Sequence, residues 1–438
     1  MPSAIRPCAT ASRTIARSAS GCARAEMRTF FRITFPLALV NFLNQASRAV
    51  MAVIGPLLAL EFGLSASDLG LLAAVLFAAY GLAQLPVGLA LDIFGARRVQ
   101  TVLSLTAGLG FLICALAEDV LFLGVGRFVT GIGIAAGLMA MLKANTQWFP
   151  RAKVAAMTGS GVFVGALGGM VATLPMQALI PLTGWRGGFL IFAVLSCLIA
   201  AWIWISVADA PPGYVRPPRR SLVAEITAFG PIFAHPYFRR FVPAILMLTT
   251  MNFVYQGLWA GPWLRDVAGL DDQARGLLLF TYACGAAAGS LLTGQAASFL
   301  QGRGHSPMLV PSVAMGALLA IQAVLIVAPP SGMPALGLVW LCFAMAASAG
   351  PAGYAAVGQR FGPELAGRVA TAINGSMLVL VFLAQIAIGA ILDLWPRTAE
   401  GGWNAAGYGW AMGLTLGLQA LVVLWAWRGR RLLGATAT

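Results

Sequence analysis

One arginine sits in the middle of a long apolar run, and three amides share its helix face. Asn41, Asn44, Gln45 and Arg48 recur at i, i+3, i+4 and i+7, the spacing that stacks side chains along one side of a helix. An arginine at the centre of a bilayer costs at least about 2.5–3.5 kcal/mol on insertion scales. No Asp or Glu falls near the middle of any apolar run in the chain, so no protein carboxylate is at hand to offset that cost. A guanidinium can hold a carboxylate or a phosphate through two parallel hydrogen bonds. Arg48 is therefore expected to contact an anionic small molecule, with Asn44 and Gln45 adding neutral hydrogen bonds. The competing reading is an arginine that caps carbonyls or snorkels within a helix bundle.

A second stripe echoes the first. Asn252, Tyr255, Gln256 and Trp259 have the same spacing, two hundred residues on. Polar groups facing lipid are costly, so each stripe should face the bundle interior or a water-filled cavity. Two matched stripes predict a central cavity between two repeats; helix–helix hydrogen bonding without a ligand is the alternative. Tyr282 and Tyr354 are candidates for an aromatic side of that cavity, whereas Trp263 reads as an interfacial belt residue. Arg127 is the other arginine inside an apolar run. Lys143, near the end of its run, reads as snorkelling.

The elements that must position these residues are membrane helices. Of 438 residues, 59% are hydrophobic and 10% charged, against roughly a quarter charged in a soluble domain. Twelve apolar runs reach spanning length: 31–60, 69–91, 99–117, 120–144, 154–180, 187–208, 241–264, 274–297, 308–328, 335–357, 368–394 and 406–427. With the N-terminus placed in the cytoplasm, 22 of the 28 Lys and Arg residues fall on the cytoplasmic side. Four, Arg186, Arg265, Arg275 and Arg397, fall on the other, and Arg48 and Arg127 lie inside spans. That asymmetry supports the span count and puts both termini inside. It also disposes of nucleic acid as the reason for the net charge of +14, because the excess is scattered over short connections rather than gathered on one face. No CxxC or Cys/His spacing suggests a metal, and no cofactor is expected.

The expected class is an all-α polytopic membrane protein with twelve transmembrane helices in two pseudo-symmetric six-helix halves. Residues 1–27 form a basic tail, read as disordered, as a targeting segment, or as an over-long start before Met27. Residues 28–208 form the first bundle, 209–240 a cytoplasmic linker, 241–428 the second bundle and 429–438 a tail. The linker segment Ser221 to Pro236 reads as an amphipathic helix on the membrane surface.

Between the second and third runs lies Gly88-Leu-Ala-Leu-Asp92-Ile-Phe-Gly95-Ala-Arg97-Arg98. Gly88 and Gly95 permit close helix approach and a tight turn. Asp92 can accept from the N-terminus of a neighbouring helix, or from Arg97 or Arg98, forming a latch made in one conformation and broken in another. Simple anchoring of topology by positive charge is the alternative.

These residues resemble the major facilitator superfamily. The Gly88 to Arg98 stretch is similar to that family's loop between helices two and three, and Gly294-Gln-Ala-Ala-Ser298-Phe-Leu-Gln-Gly302-Arg303 resembles a degraded second copy whose acid is replaced by Ser298. Arg127-Phe-Val-Thr130-Gly131-Ile-Gly133 resembles the helix-four motif, and Trp148-Phe149-Pro150-Arg151 and Gly184-Trp185-Arg186 resemble recurring turns. The resemblance covers roughly residues 28 to 430 and implies alternating access by rocking of the two halves. Arg48, Gly55-Pro56 and Glu61-Phe-Gly-Leu-Ser65 look like helix one of the organic-anion transporters of that superfamily, which implies anion contact by Arg48 and a gating or coupling role for Arg127. Ser47 and Ile134 stand where the proton-coupled members carry acids, which puts proton symport through a protein carboxylate in doubt. Gly161 to Gly169 resembles the motif of drug antiporters but lacks its proline, and reads as close helix packing.

The expected activity is secondary transport of a small organic anion: a carboxylate, sugar acid or phosphate ester. Its partners are the lipid bilayer and a coupling ion, protons included, and it is expected to act as a monomer in a bacterial inner membrane. The rivals are an efflux transporter of the same fold and a membrane receptor that binds without moving its ligand. HExxH, GxSxG and phosphate-loop patterns are missing from the sequence, which argues against an intramembrane enzyme or an ATP-driven pump.

Overall fold

The computed structural model describes residues 26–210 and 227–429. The basic tail and the first part of the expected amphipathic linker helix lie outside the described residues. Among the described residues, twelve helices are long and apolar enough to cross a membrane. They are α1 Glu26–Glu61, α2 Ala66–Phe94, α3 Ala96–Ala115, α4 Val120–Trp148, α5 Ala152–Val171, α6 Leu174–Ser206, α7 Pro236–Asp266, α8 Asp272–Gly302, α9 Leu309–Val327, α10 Met333–Gly358, α11 Gly367–Leu392 and α12 Ala405–Arg428. Val102, Leu109, Leu198, Val313, Trp410 and Leu421 are exposed, as side chains that meet lipid must be. The helices α1 and α7 are the most buried, at 78% and 67% of their apolar windows, and form the centre of the two halves.

Short connections force the helices to alternate, and their ends show why the acids of this chain lie outside the apolar runs. On the face opposite the termini, Asp119 caps α4 through the Phe122 amide at 2.7 Å and Asp271 caps α8 through Ala274 at 2.8 Å. Ser65 and Asp68 close a reciprocal capping box on α2, and Asn404 caps α12. A side-chain oxygen there satisfies amides that the helix leaves orphaned. These acids hold helix ends and do not reach the centre.

The expected span 154–180 is interrupted at residues 172–173, between Val171 and Leu174, but the reversal into the next span lies further on, with Gly188 returning against Met176. Within α6 the chain turns at Gly184, whose φ is +66°, a conformation glycine adopts without steric cost. Two matched helices are also interrupted in mid-course. α4 breaks at residues 134–136, between Gly133 and Gly137, and α10 at residues 348–349, between Ala347 and Gly350. In α7, Tyr255–Trp259 is a π-helical turn.

Contacts along α2 show how the halves meet. At its start, Ala66 N and Ser67 N each donate to Asp393, from the end of α11, at 2.8 Å, and Ser67 Oγ bonds the same carboxylate. Arg397 reaches the Leu64 carbonyl beside them. One turn on, Gly70 lies against the Gln385 carbonyl of α11. Further along, Phe77 meets Phe253 of α7 edge to face at 6.1 Å, and a Cβ on Gly81 would reach Leu378 at 3.7 Å. By Gly88 a Cβ would meet nothing within 4 Å, and the same holds at Gly375 of α11. The halves are closed on the face opposite the termini and parted toward the termini.

The Asp393 clasp carries a pH signature. Burial alone would raise its carboxyl, but bonds from the Ser67 side chain and the Ser67 and Ala66 amides, with Arg397 nearby, hold it below the usual carboxylate range. A depressed pKa means the clasp is intact above that range and is lost as pH at that face falls through the lowered value. With spin labels at exposed Leu60 and Leu394, Asp393→Asn should lengthen the distance at neutral pH, and wild type should lengthen only in acid. Equal distances at neutral pH would show that the bond does not hold the face shut.

Candidate functional site

Arg48 lies where the closed and parted regions meet. Just beyond it α1 and α7 cross at contact, with Gly261 pressed on the Ala52 carbonyl and Gly55 on Leu258. Arg48 itself is 8% exposed. Its guanidinium carbon is 4.7 Å from the Phe253 ring centre, 5.1 Å from Tyr80 and 5.8 Å from Phe77. Ring faces attract a cation electrostatically, which offsets part of its burial. Its Nη1 donates to Gln45 Oε1 at a long 3.4 Å, the Tyr80 hydroxyl lies beside it, and its buried Nε has no partner. Among the described residues no carboxylate pairs with it. A guanidinium carries five N–H donors, so most of its capacity is unused.

The amides of α1 divide. Asn41 and Gln45 remain half-buried along the parted side, Asn41 lying against Gly165 of α5. Asn44 does not line the cleft. It is buried, and its Nδ2 donates at 3.1 Å to the Ile134 carbonyl in the break of α4, which otherwise accepts from the Gly137 amide at a long 3.4 Å. Arg127 makes the reciprocal bond: it is 1% exposed and donates to the Ser47 carbonyl at 2.7 Å. The pair zips α4 to α1 behind Arg48 and fixes the helix that carries it. The small face of α5 has the same task, with Gly165 and Gly168 backed onto Asn41 and Phe42.

The stripe expected on span seven is also split, and the π turn is the reason. A π turn holds about one residue more than an α turn and shifts the phase of the helix beyond it. Asn252 stays half-buried and accepts from the Tyr282 hydroxyl at 3.1 Å. Gln256 stays half-buried too, next to Gly169 of the other half. Tyr255 turns away into the second bundle, and Trp259 lies at the closed end, where its ring also meets Gly70 of α2. Tyr255 packs on Phe343 and Trp340 at 5.1 and 5.8 Å, and Trp259, fully buried, packs on Trp403 at 6.3 Å. They are core residues and not cleft lining. Trp263 is core as well, 1% exposed against Trp340, rather than an interfacial belt residue.

Sequence reasoning missed Phe77, Tyr80 and Phe253, the rings that surround Arg48. Nothing in their local spacing separates them from the other aromatic residues of the spans; only the packing of α2 and α7 against α1 brings them together. Tyr354 of α10 completes this end of the cleft, close enough to act electrostatically on both Tyr80 and Arg48.

At the parted end, Asp92 takes neither a helix N-terminus nor Arg97 or Arg98. It accepts from Lys143 Nζ at 2.5 Å, and the same ammonium donates to the Leu91 carbonyl at 2.7 Å. Lys143 is thus a partner and not a snorkelling lysine. Gly95, with φ +86°, leaves room for Asp209, whose carboxylate accepts from the Arg97 amide at 2.9 Å; a Cβ on Gly95 would lie 2.7 Å from Asp209 Cγ. The Arg97 guanidinium stacks on Trp204 at 4.4 Å, and Arg98 is exposed. Since an exposed ion pair contributes at most about 1 kcal/mol, Asp92→Asn should leave the melting temperature nearly unchanged. If the Asp92–Lys143 contact is remade during rocking, uptake should slow several-fold with an unaltered half-saturation concentration. A changed substrate preference would contradict a latch role.

Known proteins are similar to this chain over most of its length. The family model described as Major Facilitator Superfamily matches residues 37–384. A probable sulfoacetate transporter of Cupriavidus necator is 27% identical over 269 residues, 59% of this chain and 62% of that one. The chain thus matches about three fifths of that relative's length. Monocarboxylate transporter 4 of Mus musculus is 27% identical over 370 residues, 74% of this chain and 73% of its own. Among solved structures, a bacterial homologue of the human lysosomal transporter Spinster superposes with a TM-score of 0.76 at 19% identity, covering 92% of this chain and 97% of that one.

Proposed function

The chain belongs to the major facilitator superfamily, and from that membership we propose that it is a secondary transporter that carries a small organic anion by alternating access. The observation that carries the proposal is Arg48: a buried guanidinium with donors to spare and no carboxylate, at the apex of a cleft between the halves. Taking a cation out of water is costly unless something pairs with it, and an anionic solute would supply that partner. The half-buried amides Asn41, Gln45, Asn252 and Gln256 supply neutral hydrogen bonds around it. The names of the two relatives, one a sulfoacetate and one a monocarboxylate transporter, agree with this class.

The same features weigh against export of cationic drugs. No Asp or Glu lies in the middle of any of the twelve helices, so the cleft has no carboxylate to receive a cation. It also has none to carry a proton, so any dependence on a pH gradient would come through the acid group of the substrate itself. Positive charge on the connections supports termini in the cytoplasm, and with them the open end of the cleft.

The test is uptake into proteoliposomes of labelled carboxylates, sugar acids and phosphate esters, with and without a pH gradient. Accumulation of an anion above protein-free liposomes supports the proposal. Flux of cationic or neutral drugs alone would replace it with export, and saturable binding without flux would replace it with a receptor.

A further inference from the structure

The charge balance around Arg48 says more about the substrate, and the inference rests on the anion reading of the site. We infer that the site is built for a monovalent organic anion, a monocarboxylate or a sulfonate, and that it discriminates against dianions such as dicarboxylates and phosphate monoesters.

Arg48 is the single arginine or lysine of the described helices that is both mid-membrane and at the cleft. Arg127, the other mid-membrane arginine, is 1% exposed and committed to the Ser47 carbonyl. The second half offers no counterpart. By the matched spacing of the two stripes Trp259 stands where Arg48 stands, and it is an indole at 0% exposure. The stripe residues of the second half that do face the cleft, Asn252 and Gln256, are neutral amides. Around the guanidinium stand Phe253, Tyr80 and Phe77, at 4.7, 5.1 and 5.8 Å. The ring faces cover the cation and are themselves negative, so beyond the neutral Tyr80 hydroxyl they offer nothing to a second anionic group.

Electroneutrality decides between the charge classes. Rocking must carry the loaded site through a state closed on both faces, where its net charge is buried in a low dielectric. One guanidinium and one monoanion make a neutral pair. A dianion brings a second anionic group that no cleft cation can touch, since Arg127 stays behind α1 on the Ser47 carbonyl, and an anionic group buried without a contacting cation is strongly unfavourable. The resting site, with charge +1, meets the same obstacle when empty. The monoanion therefore serves as both cargo and counter-ion.

The experiment uses the purified full-length protein and matched pairs of one shape and two charges. Succinate is set against its monomethyl ester, phthalate against monomethyl phthalate, and phenyl phosphate against benzenesulfonate, each titrated calorimetrically at pH 8. In every pair that binds, the monoanion should bind at least about tenfold more tightly. Gln256→Arg, which adds a second cation to the cleft wall, should reverse that order, and Asn252→Lys serves if the first variant does not fold. Wild-type affinity for dianions equal to or above that for monoanions, with Arg48→Ala abolishing both, would overturn the monovalent site and leave the anion site standing. If the neutral dimethyl esters bind as well as the monoanions and Arg48→Ala changes nothing, or if no anion binds at all, the anion reading itself fails.

Discussion

Arg48→Ala should abolish uptake of the anionic substrate while the protein still inserts, folds and elutes as wild type. Truncating one member of a buried, hydrogen-bonded charge pair costs about 2–5 kcal/mol, and 2 kcal/mol alone is roughly a thirtyfold loss of affinity. The fold has little to lose, because the side chain makes one long hydrogen bond and ring contacts; removing an unpaired buried cation should even raise the melting temperature. Arg48→Lys is the sharper variant. It keeps the charge but loses the planar fork and the stacking on Phe253 and Tyr80, so it should retain weak uptake. Uptake by Arg48→Ala within threefold of wild type would remove Arg48 from the binding site.

Gly261→Val should push the protein out of the conformation that is closed opposite the termini. Gly261 of α7 abuts the Ala52 carbonyl of α1, and a Cβ there would lie 2.7 Å from the carbonyl carbon. Backbone does not yield as a flexible side chain does. Gly70 against Gln385 and Gly389 against Ala66 are also tight, though less so, and all three contacts join one half to the other on the face opposite the termini. Inserting carbon there penalises this state alone, since rocking separates these surfaces. Overpacking typically costs about 1–3 kcal/mol, which shifts the ratio of the two states by roughly 5- to 150-fold. Labels at Leu60 and Leu394 should move apart and uptake should fall at least about tenfold, in line with that shift. Gly257→Ala is the control: a Cβ there finds its nearest neighbour at 3.4 Å, an ordinary contact, and should leave the distance unchanged. If Gly261→Val leaves it unchanged as well, the α1–α7 crossing is not the closing surface.

The spans and their alternation are legible in the sequence because length, hydropathy and loop charge each constrain them independently. The breaks are not. The residues at 134–136 and 172–173 are Ile, Ala and Thr, side chains as common inside membrane helices as at their ends, and hydropathy runs through both breaks for that reason. Arg48 is legible because a mid-membrane cation is expensive wherever it lies. The phase of α7 is not, since hydrophobic spacing assumes 3.6 residues per turn and the π turn at Tyr255–Trp259 breaks that assumption just where the second stripe falls. The place of Asn44 on its helix points to the cleft, but the Ile134 carbonyl that claims it belongs to the break in α4. Asp92 and Lys143 are 51 residues apart, and no local pattern links them.

The most direct measurement is calorimetric titration of purified wild type and Arg48→Ala with the anion that the uptake screen identifies. Saturable binding to wild type, weakened at least about thirtyfold in the variant, is the expected result. Equal affinity in the two proteins, with both folded, would contradict an anion site at Arg48.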